Sequence, residues 1–291
     1  MAKHSIQNRI GSENFDELAH QLQTGELAEG LIMLEARQQL IAHARITEPD
    51  KLRNACKMLS EALTQSHRIA IDADHVPDAT GQALRTPFPM VSLSHQVTVH
   101  SKVGEQPVDT QCIDILIEVP DKSEVMAVPF FKNIRITDRW MPGLYTATYN
   151  YEDYDAPIMV EFFWGFDKHR DTDAMPFKEP ALATLGFVRD VLQLINCTNV
   201  SLEVQHPSNL RKMRAKKKGI ELNDYHTIRL PSRVYKKGDH AGGTHASPAM
   251  HHRRGHYRTI HAGTDKQRDV YVHPCVVGAI DDGRVVHDYK V

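Results

Sequence analysis

Cysteine is scarce in this chain: there are four in 291 residues, Cys56, Cys112, Cys197 and Cys275, widely separated and with no Cys-x-x-Cys pair. That spacing excludes a disulfide framework and a standard zinc ribbon, and it points to buried free thiols. Long apolar runs are also missing. Nothing approaches the roughly 18–20 consecutive apolar residues of a membrane span, and the polar opening Met-Ala-Lys-His-Ser-Ile-Gln lacks the apolar segment of a signal peptide. The expectation is a cytoplasmic protein with no membrane partner. There is no Walker phosphate loop, no Gly-x-Gly-x-x-Gly, no Gly-x-Ser-x-Gly and no His-Glu-x-x-His. Nucleotide hydrolysis, Rossmann redox and serine-hydrolase chemistry therefore lack their usual signatures, and no cofactor is expected. Repeats and low-complexity tracts are absent as well.

What is present is the composition of a folded protein, 41% hydrophobic and 25% charged, enough to build one large domain or two smaller ones. The net charge of −2 conceals a division. From Leu210 to Val291 there are 17 Lys and Arg against 8 Asp and Glu, a net of +9, whereas residues 1 to 209 carry 18 against 29, a net of −11. The basic third should attract polyanions that the acidic portion repels, unless the two portions neutralise each other within one fold.

The hydrophobic pattern reads as α+β. Phe15, Leu18, Leu22, Leu27, Leu31, Leu34 and Ile41 recur at helical spacing, interrupted at Gly25 and Gly30. Pro49 suits the first turn of a further helix, capped by Thr47 and burying Leu52, Ala55, Cys56, Leu59 and Leu63. From Arg68 the period becomes two: Val91, Leu93, Val97 and Val99, then Ile113, Ile115, Ile117 and Val119, alternate with other residues, and strand-like runs follow near 125–131, 144–151 and 158–164. Short connections favour a mainly antiparallel central sheet, with a helix over about 179–195 packed on it. Short strands are expected at 200–204 and 225–230. Two more, 256–262 and 269–277, are joined by a turn at 263–268, with a third over 284–291 after a turn at Asp281-Asp282-Gly283. The division this implies is an N-terminal helical segment 1–66, a central α+β domain 67–230, a Gly-rich linker 231–250 and a small basic β element 251–291.

Several elements in this last part occur in a recognisable order. They are Asn196 to Val200, the basic block Leu210 to Gly219, Tyr225-His226, Gly242-Gly243, His252-Arg-Arg-Gly-His-Tyr-Arg258, and Tyr271 to Gly278. Together they resemble an uncharacterised type of tailed-bacteriophage protein, over roughly the last hundred residues. The resemblance implies a phage genome and no particular activity. It departs from the pattern at Tyr257, where Trp is expected.

Nine of the eighteen histidines fall in the last 66 residues, most of them beside arginines between His245 and His261. Imidazole can move protons near neutral pH, and guanidinium pairs bidentately with phosphate. The first reading is nucleic-acid binding, to RNA or single-stranded DNA or to a host nucleoprotein complex. Phosphates would be met by Arg211, Lys212, Arg214, Lys216, Lys217, Lys218, Arg253, Arg254 and Arg258, with Tyr257 or Tyr271 stacking on a base. A second reading is metal-independent ribonuclease chemistry, with His256 and His273 as the acid and base if the hairpin register lets them meet, and Arg258 stabilising developing charge. Whether the chain is an enzyme is left open by the sequence. Metal binding by His245, His251, His252, His256 and His261 matches no established ligand spacing, so no metal is expected; a local acidic cluster, Asp167 to Asp173, reads as an exposed loop.

The preferred reading is therefore a nucleic-acid-binding protein acting during infection. The competing class is a protein–protein effector that inhibits or redirects a host enzyme, with a host protein as partner. Self-association through exposed sheet edges could accompany either role.

Overall fold

The computed structural model describes residues 13–36, 44–71, 76, 85–99, 108–133, 139–153, 156–168, 178–217, 219–220, 222–231, 249–253, 255–273, 275–277 and 279–284. The described elements, in chain order, are α1 (Glu13–Thr24), α2 (Glu26–Ala36), β1 (Ala44–Ile46), α3 (Pro49–Gln65), β2 (His67–Ala70), β3 (Met90–Val99), β4 (Val108–Val119), a 3-10 turn (Pro120–Lys122), β5 (Glu124–Asn133), β6 (Met141–Pro142), β7 (Tyr145–Asn150), β8 (Met159–Phe162), β9 (Phe166–Lys168), α4 (Lys178–Asn196), β10 (Ser201–Gln205), α5 (Asn209–Lys216), β11 (Tyr225–Arg229), β12 (Ala249–Arg253), β13 (His256–Ile260), β14 (Arg268–Val272), β15 (Cys275–Val277) and β16 (Ala279–Arg284). The chain is α+β. It divides into two compact units, the first comprising residues 1–195 with 202–228, the second 196–201 with 229–291.

The first unit is built on one sheet with the order β10-β11-β2-β3-β4-β5-β7-β8, β6 pairing with β5. From β3 through β8 every pairing is antiparallel, as the short connections predict. The junctions β11–β2 and β2–β3 are parallel. A parallel pair needs a crossover of about a dozen residues or more. Residues 71–89 are long enough to supply one between β2 and β3, a length that strand periodicity does not register.

Helices cover both faces. On one face Phe15, Leu18, Leu22, Leu27, Leu31, Leu52, Leu59 and Leu63 of α1, α2 and α3 close over Ile113, Ile115, Val128 and Phe130. On the other, Leu185, Val188, Val191 and Leu192 of α4 close over Val91, Leu93, Leu116, Val125 and Ala127. Alternation along β4 thus sends Ile113 and Ile115 one way and Leu116 the other. The acidic residues sharing the face of Leu116 are buried too, so each carboxylate has acquired a partner, since burying an unpaired charge is costly. His95 Nε2 lies 2.8 Å from Asp114 Oδ2, and Arg85 Nε donates to Glu118 Oε1 at 2.6 Å.

Of the four described glycines with positive φ, two join successive elements of the first unit. Gly25, at φ 79°, ends α1 and lets α2 start immediately, its carbonyl accepting from Glu29 N. Gly30, read as a second interruption, lies inside α2. Gly165, at φ 88°, presents its carbonyl to the amides of Thr47 and Glu48 at 3.0 and 3.3 Å, so the start of α3 is tied to the turn before β9. Thr47 is therefore not the cap of α3. The cap residue is Glu48, with no side-chain capping bond, and Pro49 opens the helix as expected.

In the second unit β13 and β14 form an antiparallel hairpin, while β12 lies between β15 and β16 in a separate small sheet. The hairpin is the one expected, but the run read as a single strand over 269–277 is split: β14 ends at Val272, and Cys275–Val277 forms β15, which pairs with β12 instead. The turn expected at Asp281-Asp282-Gly283 is instead part of β16; beyond Arg284 the strand expected over 284–291, like nearly all of the Gly-rich stretch 231–250, lies outside the described residues. So does the acidic cluster beyond Lys168. Cys56, Cys112 and Cys197 are buried free thiols. Burial pushes the Cys56 thiol up to about 12, and burial with the nearby Asp269 carboxylate pushes Cys197 up to about 11.

Candidate functional site

The basic block folds into α5. Ser208 caps it in extended conformation, its Oγ accepting from Arg211 N at 3.4 Å. No residue of α5 is buried, and its eight positions, Asn-Leu-Arg-Lys-Met-Arg-Ala-Lys, include no acid. At about 100° per residue, Arg211 and Ala215 fall on one side, and these two are the half-buried positions. The opposite side carries Leu210 (58% exposed) and Met213 (65% exposed), followed by Lys217. Arg214 flanks that stripe on one edge, Lys212 and Lys216 on the other, all exposed. Cations were expected here from the sequence, but the exposed apolar pair between them was not. Lys218 lies outside the described residues.

The hairpin of the second unit arranges its side chains by register. His256 pairs with Val272, Tyr257 with Tyr271, Arg258 with Val270, Thr259 with Asp269 and Ile260 with Arg268. One face therefore holds His256, Arg258, Ile260, Arg268, Val270 and Val272, and the other holds Tyr257, Thr259, Asp269 and Tyr271. Arg258 and Arg268 share a face as diagonal neighbours, and both are exposed.

His273 is one position beyond Val272, so it belongs to the face opposite His256. Its ring makes an edge contact with Tyr271, centroids 5.0 Å apart, and its Nε2 is hydrogen-bonded to the carbonyl of Pro231. The register thus does not bring His256 and His273 into one shared site, because an odd offset between cross-strand partners sends their side chains to opposite faces. Tyr257 also departs from its expected role. It is buried, with its ring centroid 6.3 Å from that of Tyr271, and serves as packing instead of a platform for a base. His261 adopts a left-handed φ of 55° at the turn, where its carbonyl accepts from both Thr264 N and Thr264 Oγ1, which is a structural role. Arg253 lies in β12, and Arg254 is outside the described residues. Among the described residues, no group of three or more His, Cys, Asp or Glu is placed to hold a metal.

Asn199 is the residue of this unit that sequence reading overlooked. Its Oδ1 accepts from Tyr271 N at 2.9 Å and its Nδ2 donates to Tyr271 O at 2.8 Å, so one side chain mimics a strand along the edge of β14 that faces away from β13. Thr198 adds a backbone bond to Asp269 O at 3.0 Å. The Asn-x-x-x-Val element drew attention to Asn196, three positions away, because spacing along the chain carries no record of an amide reaching across 72 residues. Asn199→Ala should remove both of these bonds to the Tyr271 backbone at a cost of about 1 kcal/mol. Hydrogen exchange at the Tyr271 amide should then accelerate roughly fivefold; unchanged exchange would show the edge to be held by other contacts.

These features define an α+β protein with an exposed cationic helix in one unit and an arginine-bearing hairpin in the other. Residues 141–279 match the model of the AcrVA2-like family, described as the anti-CRISPR type V subtype A2 family, a phage-encoded family. The matched stretch runs from β6 to the first residue of β16 and includes α4, α5 and the hairpin. It takes in the motifs from Asn196 to Gly278 that resemble a tailed-phage protein, and it extends upstream of them. No curated protein and no solved structure matches the chain. No helix among the described residues is long and apolar enough to cross a membrane.

Proposed function

We propose that this chain is a phage-encoded inhibitor of a host CRISPR defence of type V, acting in the host cytoplasm through contact with a protein of that system. The observation that carries this reading is the family match over residues 141–279. It favours the protein–protein effector over the nucleic-acid-binding module that the charge distribution put first. The hairpin lends no support to the ribonuclease alternative, since His256 and His273 lie on opposite faces of it.

The test is co-purification. The full chain, affinity-tagged, would be expressed with the type V effector nuclease and its guide, then eluted at moderate and at high salt. Effector retained in the eluate supports the reading. Effector wholly in the flow-through, with nucleic acid retained in its place, overturns it and restores the nucleic-acid module.

A further inference from the structure

We propose that the outward side of α5 is a docking surface for an acidic, partly apolar protein segment. This goes beyond the proposed function by naming the surface and the chemistry of what it binds, and it relies on that reading only in taking the partner to be a protein.

The argument begins with a mismatch. A solvated basic helix needs no apolar residue on its outer face, yet Leu210 and Met213, one turn apart, stand there more than half exposed. Both belong to the residue types most often buried in folded proteins, and neither is part of a described core cluster. Single exposed apolar residues are ordinary. Here, however, two adjacent ones are ringed by Arg214, Lys212, Lys216 and Lys217 on a helix that contains no acid. An apolar centre within a charged rim is the layout of a protein-binding patch, and the sign of the rim specifies carboxylates on the partner.

Nucleic acid fits this side of α5 less well. Phosphates would satisfy the cations, but Leu and Met give no planar face on which a base could stack, and their apolar surface would be set against a polyanion. The favoured occupant is therefore an amphipathic segment whose Leu or Phe side chains cover Leu210 and Met213 while Asp and Glu pair with the rim. This is the helix-in-groove mode with the charges assigned.

The experiment uses the full chain and two variants, Leu210→Ser with Met213→Ser, and Lys212→Gln with Arg214→Gln, Lys216→Gln and Lys217→Gln. All six positions are exposed, so both variants should melt with the parent protein. The probes are a fluorescent helical peptide carrying Leu and Phe at helical spacing between glutamates, a single-stranded RNA of equal length, and the purified type V effector.

The proposal expects the peptide to bind and to lose at least about tenfold in affinity in each variant. The salt dependence should shrink only in the Gln variant. It is overturned if the peptide fails to bind at low salt. RNA that binds more tightly than the peptide, with no response to the Ser variant, also overturns it and makes α5 a nucleic-acid surface. Effector that binds the parent chain and both variants equally places the protein contact elsewhere. Effector that binds none of them counts against the proposed function, while the peptide and RNA results still decide the role of α5.

Discussion

Arg68→Met is expected to destabilise the first unit by about 3–5 kcal/mol, the range for removing one partner of a buried ion pair. Arg68 on β2 and Asp16 on α1 are almost fully enclosed, with side chains 4% and 2% exposed, and Arg68 Nη1 donates to Asp16 Oδ1 at 2.5 Å. The guanidinium also lies over the Phe15 ring and donates through Nε to Leu63 O. Asn223, just before β11, completes the set by donating from its backbone N and its Nδ2 to the same carboxylate. One buried pair thus joins the first helix, the second strand and the approach to β11, elements separated by up to 207 residues.

Burial raises the Asp16 carboxyl above its ordinary range, and the Arg68 charge is the largest influence drawing it back. Without Arg68 it rises further. A carboxyl whose folded pKa exceeds its unfolded value gives stability that is fully present below the unfolded value and lost as pH rises through the folded one. The deficit of the variant should therefore shrink as pH falls toward the ordinary carboxylate value near 3.8. Asp16→Leu combined with Arg68→Met should recover most of the loss at neutral pH, because it removes the stranded charge together with its partner. Urea unfolding of the two variants at neutral and acid pH measures all three expectations. A double variant no more stable than Arg68→Met alone would show that the pair is not the source of the effect.

Gly165→Ala should cost about 2–4 kcal/mol, combining the strain of an L-residue in the left-handed region with overpacking against backbone. A Cβ at this position would meet Glu48 O at 2.8 Å, Leu52 Cβ at 2.9 Å and Leu52 N at 3.0 Å. None of these atoms can swing aside as the end of a flexible side chain would. The clash would separate the turn before β9 from the start of α3 and strain the β1–β9 pairing, in which Ile46 faces Phe166. Gly25→Ala is the control, since φ is 79° there but nothing lies within 4 Å of the added carbon. It should cost only about 1 kcal/mol, the backbone component alone. Equal thermal midpoints for the two variants would refute the steric part of the argument.

The contrast between these two glycines shows where the sequence was legible. Gly25 breaks a helical period, which local pattern reveals. The contacts of Gly165 come from residues more than a hundred positions earlier, and no pattern displays them. Pro49, the apolar stripes of α1, α3 and α4, and the alternation of β13 and β14 were readable for the same reason as Gly25: each is set by neighbours within a turn or a strand. Alternation along β4 ordinarily marks one wet face, but α4 covers the face that carries Asp114 and Glu118, and their partners His95 and Arg85 lie far away in the chain where no local pattern displays them. In the candidate site, the cations of α5 could be read directly. That Leu210 and Met213 stay uncovered, that Tyr257 turns inward onto Tyr271, and that His256 and His273 diverge all depend on helix phase or strand register. A shift of one position would have reversed each of them.

The most direct test of the central claim is phage plating on a host whose type V CRISPR system targets that phage, with this chain supplied from a plasmid. The account predicts that plating rises to the level seen on a host with a non-targeting guide. It also predicts that the chain does not change plating on a host defended by an unrelated restriction system. Plating that stays at the fully targeted level, with the protein expressed and folded, would contradict it.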